Sequence, residues 1–259
     1  MKPKILSWNV RGLNDSNKCL RIKSLLRMWK VDIVCLQETK LRIIDQRLIR
    51  SLWGCSYVGW SYLASEGASD GVLLMWDKRV VEEVEECVGT FSVACLFKNV
   101  VDGWEWAYAG IYGPNLDRER RRLWEELARV YYLWDVPWCM GRDFNITRFP
   151  SERSGNTRHT IAMEEFSEFM FDLDPMDLPL AGGEFTWSNS REWSRLDRFL
   201  VSPSWEAHYS ELYQKRMARY CSDHFAIMLD CGGINRGRQY FKFENMWLAV
   251  DGFVEKVRT

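Results

Sequence analysis

Several candidate strands of this sequence end in polar residues whose side chains could do chemistry. The segment "KILSWN" ends at Asn9, "VDIVCLQ" is followed by Glu38, "EWAYAGIY" ends at Tyr112, and "WCMGRDFN" contains Asp143 and Asn145. One Asn or Asp at such a place is ordinary, because these residues often cap the turn after a strand. Polar residues at the ends of several strands predict a common functional site, because the sites of α/β proteins lie where rigid strands end and loops begin.

The residue types favour metal-assisted hydrolysis of a phosphoester. Magnesium prefers hard oxygen ligands, typically one or two carboxylates completed by water and phosphate. Glu38 and Asp143 could supply these carboxylates, while the amides of Asn9 and Asn145 could hold phosphate oxygens or water without adding negative charge.

A histidine near the end of the chain could complete such a site. "CSDHFAIML" places Asp223 and His224 at a predicted strand start. Histidine is the side chain most easily poised as an acid or base near neutral pH. For the remaining histidines, His159 and His208, the default interpretation is a structural role.

Short apolar runs alternate with amphipathic segments along the chain, and these are the elements that must position the polar residues. Strands are predicted at "KILSWN", "VDIVCLQ", "GVLLMW", "VACLFKN", "EWAYAGIY", "WCMGRDF", "RLDRFLV" and "HFAIML". Helices are predicted over Asn17–Lys30, with Asp15 or Ser16 as N-cap, Asp117–Trp134 and Thr160–Phe171. Strands outnumber helices, which favours a mixed-sheet sandwich flanked by helices over a doubly wound sheet.

Composition bounds the class of protein. The 259 residues are 47% hydrophobic, which suffices for a large core, and no apolar run is long enough for a membrane span. The N-terminus is predicted to be a first strand and not a secretory signal, so an intracellular protein is expected. The formal net charge is −1, so contacts with nucleic acid must come from local basic clusters or from a metal.

The motifs, taken in order, resemble those of the endonuclease/exonuclease/phosphatase superfamily, which includes DNase I, exonuclease III and the apurinic endonucleases. They are "SWN", "LQETK", "IYGPN", "GRDFN", "TWSNS", "SRLDRFLVS" and "CSDHFAI", from about Ile5 to Leu229. "RFPSERSG" and "FKFENMW" look most like the endonuclease domain of plant LINE-type retrotransposon polyproteins. The resemblance implies an α/β fold, a four-layer α/β/β/α sandwich of two mixed β-sheets.

The resemblance also implies roles around a metal ion. Glu38 would be the principal ligand of Mg²⁺, with Mn²⁺ as a substitute, Asn9 would help to order the metal and phosphate site, and Asp223 would lie near the metal. Tyr112 would contact the scissile phosphate.

Further implied roles concern proton transfer and substrate binding. Asp143 and Asn145 would position or activate the attacking water and hold a phosphate oxygen. Asp197 would orient His224, which would stabilise or protonate the phosphate in the transition state. Asn189 would contact the DNA backbone.

Loops that follow these motifs contain arginines that could bind DNA phosphates. They are Arg148 and Arg153 in "ITRFPSERSGNTRH" and Arg195 in "SNSREWSRLDR". Such contacts would position DNA without reading its sequence.

Arg142 departs from the family pattern, in which a glycine normally precedes this aspartate. If the strand persists, Asp143 and Asn145 face one side while Arg142 and Phe144 face the other. Three interpretations stay open: a Gly→Arg lesion in a decayed genomic copy, a tolerated substitution whose side chain reaches solvent, and a gained phosphate contact.

The expected function is therefore a Mg²⁺-dependent DNA endonuclease that leaves a 5′-phosphate and a 3′-hydroxyl. The alternatives are an apurinic endonuclease or 3′-exonuclease, and a catalytically dead remnant that only binds nucleic acid. Residues 1–231 are expected to form the domain, and residues 232–259 a tail towards a reverse transcriptase in the same polyprotein. A monomer that acts on DNA in the nucleus is expected.

Overall fold

Two large β-sheets form the centre of the molecule. A computed structural model describes residues 2–65, 70–114, 116–155 and 158–232, and at position 142 it describes the backbone only. The predicted tail, apart from residue 232, lies outside the described residues. The helices are α1 Ser16–Trp29, α2 Gln46–Leu52, α3 Asp117–Tyr131, α4 Ile161–Leu173 and α5 Pro203–His208, with a 3₁₀ turn at Pro150–Glu152.

The first sheet has seven strands in the order β10-β14-β15-β1-β2-β4-β3. Its strands are β1 Lys4–Asn9, β2 Ile33–Gln37, β3 Val58–Leu63, β4 Val72–Asp77, β10 Leu180–Ala181, β14 Tyr213–Arg216 and β15 Ile227–Asp230. Its central pair, β1 and β2, is parallel, with Asn9 opposite Gln37, while β15 and β4 flank this pair in antiparallel orientation. Asn9 and Glu38, the residue after Gln37, therefore emerge at one edge of the sheet.

The second sheet has six strands in the order β5-β6-β7-β8-β13-β9, and a separate hairpin is formed by β11 and β12. The strands are β5 Val81–Val88, β6 Ser92–Asn99, β7 Glu105–Tyr112, β8 Trp138–Asp143, β9 Met176–Asp177, β11 Trp187–Ser188, β12 Trp193–Ser194 and β13 Asp197–Val201. Tyr112, Asp143 and Asp197 lie side by side in the register of β7, β8 and β13.

Side chains alternate between the two faces of each strand, and the buried apolar residues therefore form three clusters between the layers. On β1 and β2, Ile5, Ile33 and Cys35 face the second sheet, while Leu6 and Val34 face α1 and α2. A third apolar cluster joins the outer face of the second sheet to α3 and α4. The layers therefore run α/β/β/α, which confirms the predicted four-layer sandwich.

The helix predictions hold within a few residues at each end. Asp15 caps α1 through a hydrogen bond from Asn17 N, and Thr160 is the N-cap of α4 instead of its first residue. The helix predicted over Asp117–Trp134 is α3, which ends at Tyr131, three residues earlier than predicted.

The sequence patterns missed two helices and several strands. Among the missed elements are the helices α2 and α5 and the strands β3, β5 and β14. Strand β5 is an edge strand with four glutamates among its eight residues, so it lacks the apolar run by which the other strands were found.

Two local predictions about strands are wrong. Strand β8 ends at Asp143, and Asn145 has a φ of 49°, so the expected alternation does not extend from Asp143 to Asn145. Strand β15 begins only at Ile227, so Asp223 and His224 lie on the loop before it. The backbone at position 142 pairs with Ile111 and Arg198, and the predicted orientation of its side chain lies outside the described residues.

Candidate active site

One buried amide joins the two sheets at the predicted site. Asn9 Nδ2 lies 2.9 Å from Glu38 Oε1 and 2.9 Å from Asp143 Oδ2, and it donates to both. Its Oδ1 accepts a hydrogen bond from Arg11 N at 3.0 Å. Because both carboxyl groups bind the same nitrogen, they lie within about two hydrogen-bond lengths of each other.

Glu38 adopts a left-handed backbone conformation with φ of 50°, directly after the last residue of β2. Such a conformation costs about 1–3 kcal/mol and persists only when its surroundings hold it. Here the Glu38 carbonyl accepts from Gly12 N at 2.6 Å, and Thr39 N donates to Gly71 O at 3.1 Å. Lys40 Nζ lies 3.8 Å from Glu38 Oε2, and the Glu38 side chain is 14% exposed.

Asn145 is held by a tight turn around Asp143. Asn145 N donates to Asp143 Oδ1 at 2.9 Å, and Asn145 Nδ2 donates to Gly113 O at 2.5 Å. A Cβ at Gly113 would lie 2.7 Å from Asp143 O and from the Phe144 carbonyl. The glycine of "IYGPN" therefore permits the close approach of the two strand ends.

His224 lies between two carboxyl groups. Its Nδ1 is 3.0 Å from Asp197 Oδ2, and its Nε2 is 3.6 Å from Asp143 Oδ2. Ser222 Oγ donates to Asn9 O at 2.7 Å and accepts from His224 N at 3.1 Å, so the loop before β15 is tied to β1. The Asp197 carboxyl is fully buried, and Asp197 N donates to Thr186 Oγ1 at 2.9 Å.

The surroundings keep His224 charged. Burial disfavours the imidazolium, but the Asp197 and Asp143 carboxyls outweigh it and raise the pKa of His224 to about 9. Burial raises the pKa of Asp197 to about 6, although the imidazolium beside it acts in the opposite direction. At neutral pH the pair is therefore an imidazolium and a carboxylate, and Nε2 carries a proton on the side of Asp143.

Asp223 lies on the same loop, at a more exposed place. Its Oδ2 accepts from Trp187 Nε1 at 2.9 Å and also forms an ion pair with Arg11 Nη1. Burial opposes the charge of this carboxylate, but the Trp187 hydrogen bond, His224 and Arg11 together lower its pKa.

Tyr112 is placed beside the site by register. It is the last residue of β7, opposite Asp143 in the parallel pair with β8, and its partly buried ring packs against the core between the sheets. The structure thus brings together Asn9, Glu38, Tyr112, Asp143, Asn145, Asp197, Asp223 and His224.

The predicted DNA-binding residues are placed less uniformly. Asn189 shapes the exposed turn of the β11–β12 hairpin, because its Oδ1 accepts from Arg191 N and Glu192 N at 2.8 and 2.7 Å. Arg148 stacks over the exposed ring of Phe149, and Arg153 Nη2 donates to Arg158 O at 2.7 Å.

Arg195 differs from the expectation of a surface contact. Its side chain is only 17% exposed, and it forms ion pairs with Asp177 at 2.8 Å and Glu152 at 3.6 Å. The guanidinium faces inward because two carboxylates within the fold already neutralise it.

Several residues that shape the site were missed by the sequence predictions. Arg11 and Lys40 each follow a predicted site residue by two positions, which is the signal that could have marked them. Ser222, Thr186 and Trp187 act through hydrogen bonds between distant segments, and no local pattern predicts such bonds.

The donor set fits a hard divalent cation. Asp143, Asp197 and His224 offer ligand atoms that lie within 4.8 Å of one another, yet the His224 Nδ1 is engaged by Asp197 and its ring is positively charged. The Glu38 carboxylate lies on the other side of Asp143 and is the better oxygen donor, while Asn9 turns its Nδ2 towards both carboxylates and so orders them. Carboxylate and amide oxygens are the ligands that Mg²⁺ prefers.

Comparisons with known proteins identify the family of the chain. Residues 6–224 match the Endonuclease/Exonuclease/phosphatase family, and the chain belongs to that family, whose members are hydrolases. A comparison with curated protein sequences gave no match.

Solved structures share the fold at low sequence identity. The endonuclease domain of TRAS1, a telomere-specific non-LTR retrotransposon, has 13% identity and a TM-score of 0.68, over 89% of this chain and 98% of that chain. The AP endonuclease LMAP from Leishmania major has 18% identity and a TM-score of 0.66, over 88% and 87%. A mannosyl-6-phosphatase from Bacteroides thetaiotaomicron has 15% identity and a TM-score of 0.61, over 88% and 98%.

None of the described helices combines the length and the apolar character that a membrane crossing requires.

Proposed function

We propose that this chain is a Mg²⁺-dependent DNA endonuclease that nicks a phosphodiester bond and leaves a 5′-phosphate and a 3′-hydroxyl. The observation that supports it best is the Asn9 amide, which holds Glu38 and Asp143 together next to the Asp197–His224 pair. This arrangement combines an oxygen-rich cation site with a fixed proton donor, as phosphodiester hydrolysis requires.

Glu38, with Asp223 nearby, would hold the ion, and Asn9 would order the site by fixing Glu38 and Asp143 through its Nδ2. A bound Mg²⁺ supplies charge neutralisation on the phosphoryl and leaving oxygens. Asp143 is placed to orient the attacking water, because its carboxyl is fixed by Asn9 Nδ2 and Asn145 N. The Asn145 amide is directed by Gly113 O.

His224 has the role of a cationic proton donor in this proposal. Its imidazolium carries the proton at neutral pH, and Asp197 fixes the ring through Nδ1, so Nε2, on the side of Asp143, would donate to a phosphate oxygen bound there. Tyr112, in register with Asp143, would contact the scissile phosphate from the neighbouring strand.

The proposed setting is that of a LINE-type element, in which residues 1–231 form the nuclease domain of a polyprotein that also contains a reverse transcriptase. The nick would provide the 3′-hydroxyl that such a partner extends. The structural likeness to the TRAS1 endonuclease domain supports this setting at the level of the fold. The proposed DNA substrate implies action in the nucleus, and we propose that the chain acts as a monomer.

Supercoiled plasmid tests the proposal. We expect Mg²⁺-dependent nicking that EDTA abolishes and that Glu38→Ala and His224→Ala each lose. An oligonucleotide duplex with one abasic site, compared with its intact counterpart, separates an apurinic endonuclease from a general nickase. Retained DNA binding without any nicking would identify a catalytically dead remnant and contradict the proposal.

A further inference from the structure

A buried network of four charged side chains lies next to residues 146–153, the loop that contains the predicted DNA-binding residues Arg148 and Arg153. Glu152, Asp177, Arg195 and Arg198 form this network, here called the tetrad, with side-chain exposures of 10%, 12%, 17% and 0%. The two positive and two negative charges balance. None of the four residues belongs to the catalytic set described above.

The contacts within the tetrad are short. Arg198 Nη2 lies 2.8 Å from Glu152 Oε2, and Arg198 Nη1 lies 2.6 Å from Asp177 Oδ2. Arg195 Nη2 lies 2.8 Å from Asp177 Oδ1. Removing four charges from water costs about as much as their pairing returns, so such a network is weak evidence for added stability. It is better suited to fixing one arrangement of the segments that it joins.

The two carboxylates of the tetrad have different neighbours. Glu152 Oε2 also accepts backbone hydrogen bonds from Arg148 N at 2.6 Å and Phe149 N at 3.3 Å, and Glu152 O accepts from Arg195 N at 2.8 Å. The Asp177 carboxyl accepts from the two arginines, and Asp177 lies on the short edge strand β9. Glu152 therefore links the loop to the tetrad, whereas Asp177 braces the tetrad from behind.

The loop and the strand that the tetrad joins both lead into the candidate active site. Residues 146–153 directly follow Asn145, and Arg198 directly follows Asp197 on β13. Phe144 N donates to Leu196 O at 3.0 Å, so the segment is also tied to β13 before the loop begins.

We infer that Glu152 is a positioning residue that locks the loop 146–153 to the strand carrying Asp197, so that Arg148 and Arg153 meet DNA phosphates in a fixed place relative to His224. The inference rests on the proposed endonuclease function. A mobile loop would have to be ordered each time DNA binds, and this ordering costs conformational entropy. A loop held beforehand by Glu152 avoids that cost.

Two matched substitutions test this inference. Glu152→Gln and Asp177→Asn each remove one negative charge beside the same two arginines, but only Glu152→Gln weakens the hydrogen bonds to Arg148 N and Phe149 N. We expect similar losses of thermal stability in the two variants. With plasmid DNA and Mg²⁺, Glu152→Gln should raise KM about tenfold with kcat little changed, while Asp177→Asn should keep both within about twofold. Equal changes of KM in the two variants would overturn the inference.

A second measurement does not depend on nuclease activity. Trypsin cleaves after arginine only where the backbone opens, so cleavage after Arg148 and Arg153 reports release of the loop. We expect faster cleavage there in Glu152→Gln than in Asp177→Asn at equal distance below each melting temperature. Equal cleavage rates would reject the positioning role even if the wild-type chain nicks DNA. Faster cleavage in an inactive protein would instead count against the nuclease proposal alone.

If Glu152→Gln does not fold, Glu152→Asp takes its place. This variant keeps the charge but shortens the reach to the backbone of Arg148 and Phe149. The same difference from Asp177→Asn is expected, and its absence would likewise reject the inference.

Discussion

Asn9 Nδ2 and Asp143 Oδ2, from different sheets, lie 2.9 Å apart, and the same nitrogen donates to Glu38 Oε1. The sandwich places the ends of β1 and β8 together, and this amide converts their proximity into a defined distance between two carboxyl groups. The arrangement explains why an uncharged residue stands at the centre of an acidic site.

Asn9→Asp should strongly impair nicking. The change replaces a donor between Glu38 and Asp143 by a third carboxylate, so the two acids lose their common partner and gain a repulsive neighbour. We expect plasmid nicking at fixed Mg²⁺ to fall about 10- to 100-fold. Asn99→Asp is the matched control, because this buried amide binds Tyr209 and Trp106 at the end of β6 that lies away from the site. Wild-type rates in Asn9→Asp would contradict the assigned role.

The rate of nicking should decline as pH rises through about 9. The reason is that the pKa of His224 is raised to about 9, mainly by Asp197 and Asp143 acting against burial, and the proposed role needs the imidazolium. The same group stabilises the fold fully below its ordinary pKa of about 6.5, and this contribution is lost as pH rises through about 9.

Asp197→Asn tests whether His224 causes this decline of the nicking rate at alkaline pH. Removal of the main charge that raises the pKa of His224 should move the alkaline decline to lower pH, as measured by initial nicking rates from pH 6 to 9.5 at constant ionic strength. If the rate declined at the same pH in Asp197→Asn as in the wild type, a group other than His224 would control the decline.

Gly113→Ala should destabilise the protein and slow nicking. The added Cβ would lie 2.7 Å from the backbone of Asp143 and Phe144, neither of which can move aside without displacing the site. We expect a loss of about 1–3 kcal/mol in the free energy of unfolding, read from thermal melting. Gly54→Ala is the control, because its Cβ would meet only the flexible side chain of Arg27, at 3.2 Å. Equal melting temperatures for the two variants would contradict the steric argument.

Arg142→Gly should raise plasmid nicking at fixed Mg²⁺. Position 142 directly precedes Asp143 in the middle of the second sheet, where its backbone pairs with Ile111 and Arg198, so a change there acts close to the candidate site. Family members normally have glycine before this aspartate, so the variant restores the usual residue. Equal or lower activity would refute the interpretation of Arg142 as a lesion.

Nicking should weaken steeply with added salt if the substrate is DNA. Each phosphate contact releases counterions, so the logarithm of the binding constant falls linearly with the logarithm of salt concentration. Arg153→Ala should reduce the magnitude of that slope by about 1, the value expected for one lost phosphate contact, whereas Asp177→Asn should leave it unchanged. A flat dependence in the wild type would favour a small-molecule substrate.

The sequence alone determined the family and the sandwich, and it supplied the candidate site residues that the structure brings together. It could do so because buried strands such as β1, β7 and β8 are continuous apolar runs, and because their terminal residues are polar where a core strand should end. Strand β5, an acidic edge strand, and the short helices α2 and α5 have no such pattern and were missed.

Only the tertiary structure decided which atoms meet. Asn9, Glu38, Asp143 and His224 come from four segments of the chain, and the distances among them depend on how two sheets pack and on the left-handed residues at the strand ends. The sequence also could not predict that Arg195 faces inward. An arginine in a loop is expected to contact solvent or DNA, and only the fold brings the buried carboxylates of Glu152 and Asp177 to it. Sequence patterns report local periodicity, whereas pairing between distant charges is a property of the packed fold.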